Sequence, residues 1–261
     1  MRLLSTLAAA AVSAVLIAAP AVAKEIKLGV SAGSHEQVAE KVAEIIKAKG
    51  HTLKIVTFND YILPNQALAS GDLDANSFQH VPYLDQQKKD RGYDLTVVGT
   101  NFVEPMGVYS KKIKTLADLK SGDSVAIPND PSNGGRALLL LAKSGLIEVD
   151  PKTGLTPGAA DITKNPKGLK FVELDAAQLP RSLPDVTAAA INTNYALEAG
   201  LNPLKDSLVI EDAKSPYANI VVVQTKDKDA AWVKDLVAAY QNDQVRAFIL
   251  DTFKGAVVPA F

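Results

Sequence analysis

Short apolar runs alternate with helical patterns along most of this 261-residue chain. The first run, 25–30, is followed by Val38, Val42 and Ile46 at helical spacing, and Gly50 then supplies a stop. Further strand-like runs lie at 53–58, 73–78, 95–99, 124–127, 169–174, 187–191 and 219–225. Strands that alternate with helices predict an α/β fold in which mostly parallel sheets are covered by helices.

The same alternation starts again after Tyr109, and this restart predicts two lobes that share a cleft. We expect the chain to cross between the lobes near 102–108 and to return near 217–221. In sheets of this kind, ligands bind beyond the carboxyl ends of the strands, so we expect the site in the cleft. The expected limits are 24–105 plus 220–261 for the first lobe and 106–219 for the second.

Three local patterns add detail. Ser34 and Gln37 fit a capping box at a helix start, and Thr115 and Asp118 fit a second cap. Residues 145–170 are rich in Pro, Gly, Lys and Thr, which is typical of an excursion over the surface. The tail has apolar side chains that we predict to share one face of one or two helices: Trp232, Leu236, Val237, Tyr240, Val245, Phe248 and Ile249.

The N-terminal residues match a secretory signal peptide. Arg2 precedes an apolar stretch over 3–20, and the small residues 21–23 fit a cleavage site, so we expect residues 1–23 to be removed before Lys24. The mature chain is then an exported protein. The sequence contains no cysteine, which excludes disulfides, thiolate metal sites, cysteine nucleophiles and lipid attachment to a cysteine after the leader.

The overall charge points to a small ligand. The chain has 28 Lys and Arg against 29 Asp and Glu, a formal net charge of −1, and a pI of about 6.3. Nucleic-acid and anionic-membrane partners usually require a clustered basic excess, so neither is expected. No glycine-rich nucleotide motif is present, and residues 72–76 imitate a calcium loop without its glycine and final glutamate. We therefore expect neither a cofactor nor a metal.

Residues 29–33, GVSAG, match the nucleophile elbow of serine hydrolases between a strand and a helix. Ser31 would be the nucleophile of such an enzyme. That class needs an acid and then a histidine downstream, and the histidines here are only His35, His51 and His80. The other interpretation is a Gly/Ser loop that lets a ligand approach backbone amides at a helix start. We favour this binding loop over an enzyme and keep the Ser31 hydrolase as an alternative.

Tyr61, Phe78, His80 and Tyr83 bring three aromatic residues and one of three histidines into a short span. Each of them alone is compatible with ordinary core packing. Phe78 and His80 share one face of a strand by period two, and Tyr83 begins the next helix. Together they predict an aromatic wall suited to an apolar or thioether side chain, through buried area and sulfur–ring contacts.

Arg136 lies at the start of the apolar helix in PNDPSNGGRALLLL, residues 128–141, directly after a Gly-Gly pair. A solvated cation is one interpretation, although the helix dipole disfavours cations near an N-terminus. The other is an anion site, in which free helix amides and a bidentate guanidinium hold one carboxylate. Asn192 ends a predicted strand and Asn219 follows SPYA. Both suit a cap or turn, but an asparagine carbonyl also accepts a hydrogen bond from an ammonium group.

Six stretches spread over nearly all of the mature chain form a common pattern: TFNDYILPNQAL, GDLDANSFQHVPYLDQQKKDRGY, PNDPSNGGRALLLL, QLPRSL, AAINTNYA and SPYANIVVV. With them, the chain resembles the methionine-binding components of bacterial ABC uptake systems, the family that includes D-methionine-binding lipoproteins. The resemblance implies a two-lobed periplasmic-binding-protein fold of type II. Such a protein closes on an amino acid and delivers it to a membrane permease driven by an ATPase, without catalysing a reaction.

The resemblance also implies site residues. These are Tyr61, Phe78, His80 and Tyr83 for the aromatic pocket, Arg136 for the ligand carboxylate, and Asn133, Asn192 and Asn219 for the amino-acid head. Similar proteins take L- or D-methionine, a methionine-containing dipeptide or another amphiphilic zwitterion, and these ligands stay open.

Family members are commonly lipid-anchored through a cysteine, which this chain lacks. We therefore expect a freely diffusing periplasmic protein, soluble after signal-peptide cleavage and monomeric. An adhesin or surface antigen with a vestigial cleft is the remaining alternative.

Overall fold

The structure, a computed structural model, describes residues 23–261. The predicted signal peptide therefore lies outside the described residues, except for Ala23. Within 23–261, every helix is too short or too polar to cross a membrane.

Strands and helices follow one another along the chain. The strands are β1 (Glu25–Ser31), β2 (Thr52–Phe58), β3 (Ala75–His80), β4 (Leu95–Val103), β5 (Gly107–Tyr109), β6 (Ser124–Pro128), β7 (Glu148–Val149), β8 (Ile162–Lys164), β9 (Lys170–Leu174), β10 (Ala188–Ile191), β11 (Ser207–Ile210), β12 (Ala218–Gln224) and β13 (Val258–Pro259). The helices are α1 (Ser34–Ile46), α2 (Leu63–Ser70), α3 (Val81–Arg91), α4 (Pro131–Lys143), α5 (Leu179–Ser182), α6 (Thr193–Glu198), α7 (Pro203–Asp206), α8 (Ala231–Tyr240) and α9 (Asp243–Phe253).

The main strands form two sheets. The first has the strand order β13-β4-β12-β3-β1-β2, and the second has the order β11-β5-β10-β6-β9. The chain leaves the first sheet after β4, enters the second at β5, and returns between β11 and β12. This arrangement confirms the predicted two-lobed α/β fold. The exact lobe limits stay a prediction, and β12 begins at Ala218, just before the predicted limit at 220.

Strand pairing is mixed, so the prediction of mostly parallel sheets is wrong for part of each sheet. The β2-β1-β3 part of the first sheet and the β10-β6-β9 part of the second are parallel. β12 runs antiparallel to β3 and β4, and β5 runs antiparallel to β10 and β11. β5 and β12 are the first strands after each crossing between the sheets, so each enters from the end opposite to the strand–helix units. A strand–helix repeat in the sequence does not carry this information.

Each lobe has its own apolar core. In the first lobe, α1, α8 and α9 pack on one face of the sheet, where Val42, Tyr240 and Ile249 are buried. This confirms that the tail residues share an apolar face, which two helices form. In the second lobe, α4 packs on β6 through its buried leucines, among them Leu138 and Leu141.

The ends of α1 confirm one local prediction and overturn another. Gly50 adopts a φ of 81° and ends the first helical segment, as its position predicts. The predicted capping box of Ser34 and Gln37 is wrong, because Gly33 precedes α1 without any side-chain cap. The Ser34 hydroxyl donates instead to the buried carboxylate of Glu104.

Other local predictions concern the second lobe. Thr115 and Asp118 form the predicted capping box. The predicted excursion at 145–170 contains the hairpin β7-β8 and is mostly exposed or half-buried. β5, β7, β8, β11 and β13, of two to four residues each, escape prediction because they are too short for a period-two pattern. β10 has four residues as well and is predicted from its continuous apolar run.

Candidate ligand-binding site

A narrow cavity lies between the two sheets. It is bordered by the carboxyl ends of β3 and β10 and by the starts of α4 and β12. All of the residues predicted for the ligand line this cavity: Tyr61, Phe78, His80, Tyr83, Asn133, Arg136, Asn192 and Asn219. Further lining residues are Gln79, Glu104, Thr193 and Asn194. The contacts of these residues with a ligand stay a prediction.

The predicted aromatic wall is a cluster of rings beside the cavity. The rings of Tyr61, Phe78 and Tyr83 lie 6.0–6.1 Å apart between centroids, within the range of stabilising aromatic pairs. Tyr83 Oη donates to the backbone oxygen of Tyr61 (2.7 Å), and Tyr61 Oη donates to Asn194 Oδ1 on the second lobe (2.5 Å). Burial raises the pKa of the Tyr61 hydroxyl well above its ordinary value, so this group stays a donor.

His80 ends β3 and caps α3, and its two ring nitrogens have different partners. Nδ1 accepts from the backbone amide of Tyr83 (3.2 Å). Nε2 lies 3.2 Å from Asn133 Oδ1 and, since an amide oxygen only accepts, Nε2 carries the hydrogen. Burial, followed by the charge of Arg136, lowers the pKa of His80 to about 3. His80 is therefore neutral at physiological pH.

The orientation of Asn133 is fixed by Asp130, the N-cap of α4. Asn133 Nδ2 donates to both carboxylate oxygens of Asp130 (3.1 and 2.9 Å). Asn133 Oδ1 is thereby turned toward His80 and Asn192, and Asn192 Nδ2 donates to it (2.9 Å). Asn192 Oδ1 is left buried without a partner among residues 23–261. A buried acceptor without a partner is costly, and a ligand ammonium would satisfy it.

Arg136 lies in the second turn of α4, with 3% of its surface exposed. Its Nε and Nη2 bind both carboxylate oxygens of Glu211 at 2.5–3.0 Å, and Nη2 also donates to the backbone oxygen of Glu104 (2.8 Å). The guanidinium carbon lies 4.3 Å from the ring centroid of Tyr217. The interpretation of Arg136 as a solvated cation is therefore wrong. None of these contacts uses Nη1, the remaining guanidinium nitrogen.

The glycines before Arg136 serve packing rather than the approach of an anion. A Cβ at Gly134 would lie 2.7 Å from the backbone oxygen of Pro128. A Cβ at Gly135 would lie 2.7 Å from Thr156 Cα, in the excursion that covers α4. Both positions therefore require glycine because protein backbone, not ligand, occupies the space.

The first amides of α4 are occupied as well. The amide of Asn133 donates to Asp130 Oδ1 (2.9 Å), and that of Gly134 donates to the backbone oxygen of Asp130 (2.8 Å). The predicted anion site made jointly by helix amides and Arg136 is therefore wrong for these amides. Burial raises the pKa of Asp130, an effect that the bonds from Asn133 and Ser132 oppose.

Glu104, in the first crossing between the sheets, escapes prediction. Its carboxylate accepts from Ser34 Oγ, lies 3.0 Å from His35 Nε2, and accepts from Asn219 Nδ2 (3.3 Å). Burial acts to raise the pKa of Glu104, but His35, the Ser34 hydroxyl and the charge of Arg136 hold it below its ordinary value. The cavity therefore contains a carboxylate that is charged at neutral pH.

Gln79 joins the cavity wall to a buried amide cluster. Gln79 Nε2 donates to Asn65 Oδ1 (2.7 Å) and Asn76 Oδ1 (3.0 Å), and Asn65 Nδ2 donates to Gln79 Oε1 (2.8 Å). These bonds tie β3 to the start of α2 and hold the end of the strand on which Phe78 and His80 lie.

The structure gives no support to the hydrolase alternative. Ser31 is fully buried, and its hydroxyl has no hydrogen-bond partner within the described part of the chain, so no base activates it. The segment 29–33 does not line the cavity, and the interpretation of it as a ligand-binding loop is wrong. Gly33 faces the backbone oxygen of Asn194 instead, 3.3 Å from the position of a Cβ.

The wall of the cavity thus presents a buried cation, a buried anion and a cluster of rings. Arg136 and Glu104 supply the two charges, and Asn192 supplies an acceptor without a partner. This set matches the carboxylate, the ammonium and the apolar side chain of an amino acid.

Known proteins resemble this chain over nearly all of its described length. The family model described as NlpA lipoprotein matches residues 26–261. The D-methionine-binding lipoprotein MetQ of Salmonella typhimurium is 54% identical over 236 residues, which cover 89% of this chain and 87% of that protein. A solved nutrient binding protein from Burkholderia cenocepacia, bound to methionine, is 53% identical with a TM-score of 0.89, covering 90% of this chain and 100% of that chain. The crystal structure of the methionine binding protein MetQ is 52% identical, with a TM-score of 0.88 and coverage of 91% and 98%.

Proposed function

The chain belongs to the NlpA lipoprotein family, and from this premise we propose that it is the substrate-binding protein of an ABC importer for methionine. Methionine binds in the cavity between the lobes and is delivered to the membrane permease. The function is binding alone, and no covalent bond is made or broken. The protein is not an enzyme, in agreement with its relatives, which are named as binding lipoproteins.

Charged and polar groups hold the head of the amino acid in this proposal. Arg136 Nη1 donates to the ligand carboxylate, while Nε and Nη2 stay on Glu211. The ligand ammonium donates to Asn192 Oδ1 and faces the carboxylate of Glu104. The observation that carries the proposal is the buried Asn192 oxygen without a partner, in the wall of a cavity that also contains one cation and one anion.

The thioether side chain lies against the rings. Phe78 is 4% exposed and Tyr83 is 4% exposed, so their faces already belong to a dry environment. Sulfur contacts with ring edges contribute about 0.3–1.5 kcal/mol each.

Location and partners are part of the proposal. We place the protein in the periplasm as a monomer that contacts the permease of an importer driven by an ATPase. Relatives carry the name lipoprotein, whereas this sequence has no cysteine for lipid attachment. We therefore predict a freely diffusing form. Fractionation of cells that express the full chain tests this, and the protein should appear in the periplasmic fraction rather than with the membranes.

A thermal-shift screen of the mature chain against L- and D-amino acids and methionyl dipeptides tests the ligand. A hundredfold excess over Kd stabilises a folded protein by about 2.7 kcal/mol. For a chain of this size, that corresponds to a rise in Tm of about 5–10 °C. We expect this rise with L- or D-methionine and little change with glutamate or lysine. A flat response to all free amino acids, or a larger rise with a dipeptide, would contradict methionine as the ligand.

A variant of the cavity wall tests the role of Asn192. Asn192→Ala removes the oxygen that has no partner among the described residues. The position stays buried, so the fold should persist while the methionine-dependent rise in Tm becomes smaller. The control substitution Asn202→Ala, in the N-cap of α7 away from the cavity, should keep the full rise.

A further inference from the structure

A groove adjoins the ligand cavity on the far side of an aromatic pair. The groove has a volume of 350 Å³ and shares no lining residue with the cavity. Its walls are formed by Asn59, Ala177, Gln178, Pro180, Arg181, Tyr195, Glu198 and Ala199. The two spaces are therefore separate, and Tyr61 in the cavity wall contacts Tyr195 in the groove wall.

The separating wall consists of Tyr61 and Tyr195. Tyr61 lines the cavity and Tyr195 lines the groove, and their ring centroids lie 5.0 Å apart with an interplanar angle of 37°. Tyr195 belongs to α6 of the second lobe and is 5% exposed. The ring of Tyr61 is thus supported from behind by a buried ring of the opposite lobe.

Hydrogen bonds fix both rings across the lobes. Tyr61 Oη donates to Asn194 Oδ1 (2.5 Å), and Tyr195 Oη donates to the backbone oxygen of Asn59 (3.2 Å). Neighbouring residues of α6 thereby clamp the segment before α2 in two places. A ligand that pushes Tyr61 outward must displace Tyr195 or break the bond from Tyr61 to Asn194.

We propose that Tyr195 is a positioning residue that limits the length of the ligand side chain. It acts through Tyr61, which touches the side chain in the proposed function, and the inference rests on that function. Shortening Tyr195 removes the support of Tyr61, so that a longer ligand side chain can push the Tyr61 ring aside and extend into the groove. The longer space then accepts amino acids whose thioether side chain extends beyond that of methionine.

The groove offers room for the end of such a side chain, and its two charged lining residues are of opposite sign. Arg181 and Glu198 bring opposite charges to it, and Asn59 and Gln178 add polar groups. In a filled apolar pocket, one extra methylene changes discrimination by about 10- to 200-fold. S-butyl-L-homocysteine, with three methylenes more than methionine, is therefore a sensitive probe of the wall.

The test measures Kd for L-methionine and S-butyl-L-homocysteine by calorimetry with the mature chain and its variants. The parent should prefer methionine by at least about tenfold. Tyr195→Ala should reduce this preference about tenfold or more, chiefly through tighter binding of the longer ligand. Tyr195→Phe, which keeps the ring and loses the bond to Asn59, should retain the parental preference. Arg181→Gln, in the groove alone, should match the parent for methionine.

The outcomes separate this inference from the proposed function. A Tyr195→Ala variant that binds methionine and still rejects the longer ligand as strongly as the parent overturns the inference. If that variant does not fold, Tyr195→Leu answers the same question with a smaller loss of apolar volume. Equal loss of affinity for both ligands in the folded variants would show a merely structural role. Failure of the parent itself to bind methionine overturns the proposed function, and the inference with it.

Discussion

The two sides of the cavity are built in different ways. The ring side consists of Tyr61, Phe78, His80 and Tyr83, which all come from one stretch of the chain. The polar side consists of Glu104, Asn133, Arg136, Asn192 and Asn219, which come from the first crossing, α4, the end of β10 and β12. A side of the cavity that comes from one stretch of the chain leaves a local pattern in the sequence. A side assembled from distant segments leaves only separate local signals, and its geometry depends on how the two lobes meet.

The largest expected effect breaks the polar side. Arg136→Ala should weaken methionine binding by about 2–5 kcal/mol, because the ligand carboxylate loses a buried partner. This corresponds to a loss of about 30- to 5,000-fold in Kd, measured by calorimetry. The substitution also leaves the half-buried Glu211 without its cation, so the free energy of unfolding should fall, by at most about 3–5 kcal/mol.

A double variant separates the two consequences. Arg136→Ala combined with Glu211→Gln removes the unpaired charge and should recover much of the stability, but not the binding. Recovery of methionine affinity in the double variant would contradict a direct role of Arg136 in holding the ligand.

The surroundings of Arg136 were only partly predictable from the sequence. Arg136 is detectable because a cation at the start of an apolar helix is unusual, yet the reason inferred for the adjacent glycines is wrong. Their space is taken by Pro128 and Thr156, which are close only in the folded chain. Glu211 lies in a charged segment, IEDAK, and nothing local marks it as the partner of Arg136.

Glu104 is a different case. It is the one charged residue in the apolar run 102–108, and this signal could have identified it as a buried carboxylate. The hydrogen-bond donors to Glu104, Ser34 and Asn219, come from opposite ends of the chain, so the sequence alone does not predict them. By contrast, Phe78, His80 and Tyr83 of the ring side need only period two along β3 and the turn into α3.

The next effect concerns the ring side and pH. An unfolded chain protonates histidine near 6.5, whereas folded His80 takes up a proton only near pH 3. Between these two pH values, protons bind the unfolded chain and not the folded one. Each unit by which the pH falls below 6.5 therefore lowers the free energy of unfolding by about 1.4 kcal/mol through His80. From pH 6.5 to 4.5, the parent should therefore lose about 2–3 kcal/mol more than His80→Gln, measured by urea denaturation. Equal losses would show that His80 is not held neutral.

A substitution with an expected effect of similar size tests the negative charge of Glu104. Glu104→Gln keeps the shape of the side chain and removes its charge, so the ligand ammonium loses a charge-assisted interaction of about 1.5–3 kcal/mol. We expect Kd for methionine to rise by about 10- to 150-fold. Glu148→Gln, which alters an exposed carboxylate paired with Lys164, should leave Kd unchanged. Equal affinities of the two variants for methionine would show that Glu104 does not interact with the ligand.

The smallest effect is specific to the sulfur. Phe78→Leu preserves apolar volume but removes a ring edge, so methionine should bind about 0.3–1.5 kcal/mol more weakly. Norleucine, which has a methylene in place of the sulfur, should lose less. The comparison is made by calorimetry on both ligands with parent and variant. If norleucine and methionine lose the same affinity, the ring side acts through buried area alone.

The central claim is that both charges of an amino acid are held at once, opposite a wall of rings. Calorimetry of the unmodified mature chain with L-methionine, methionine methyl ester, 3-(methylthio)propylamine and 4-(methylthio)butanoate tests it without any mutation. The account predicts that each analogue lacking one charge binds at least about tenfold more weakly than methionine, since a charged hydrogen bond contributes about 1.5–3 kcal/mol. An analogue without its carboxylate or its ammonium that binds as tightly as methionine would contradict it.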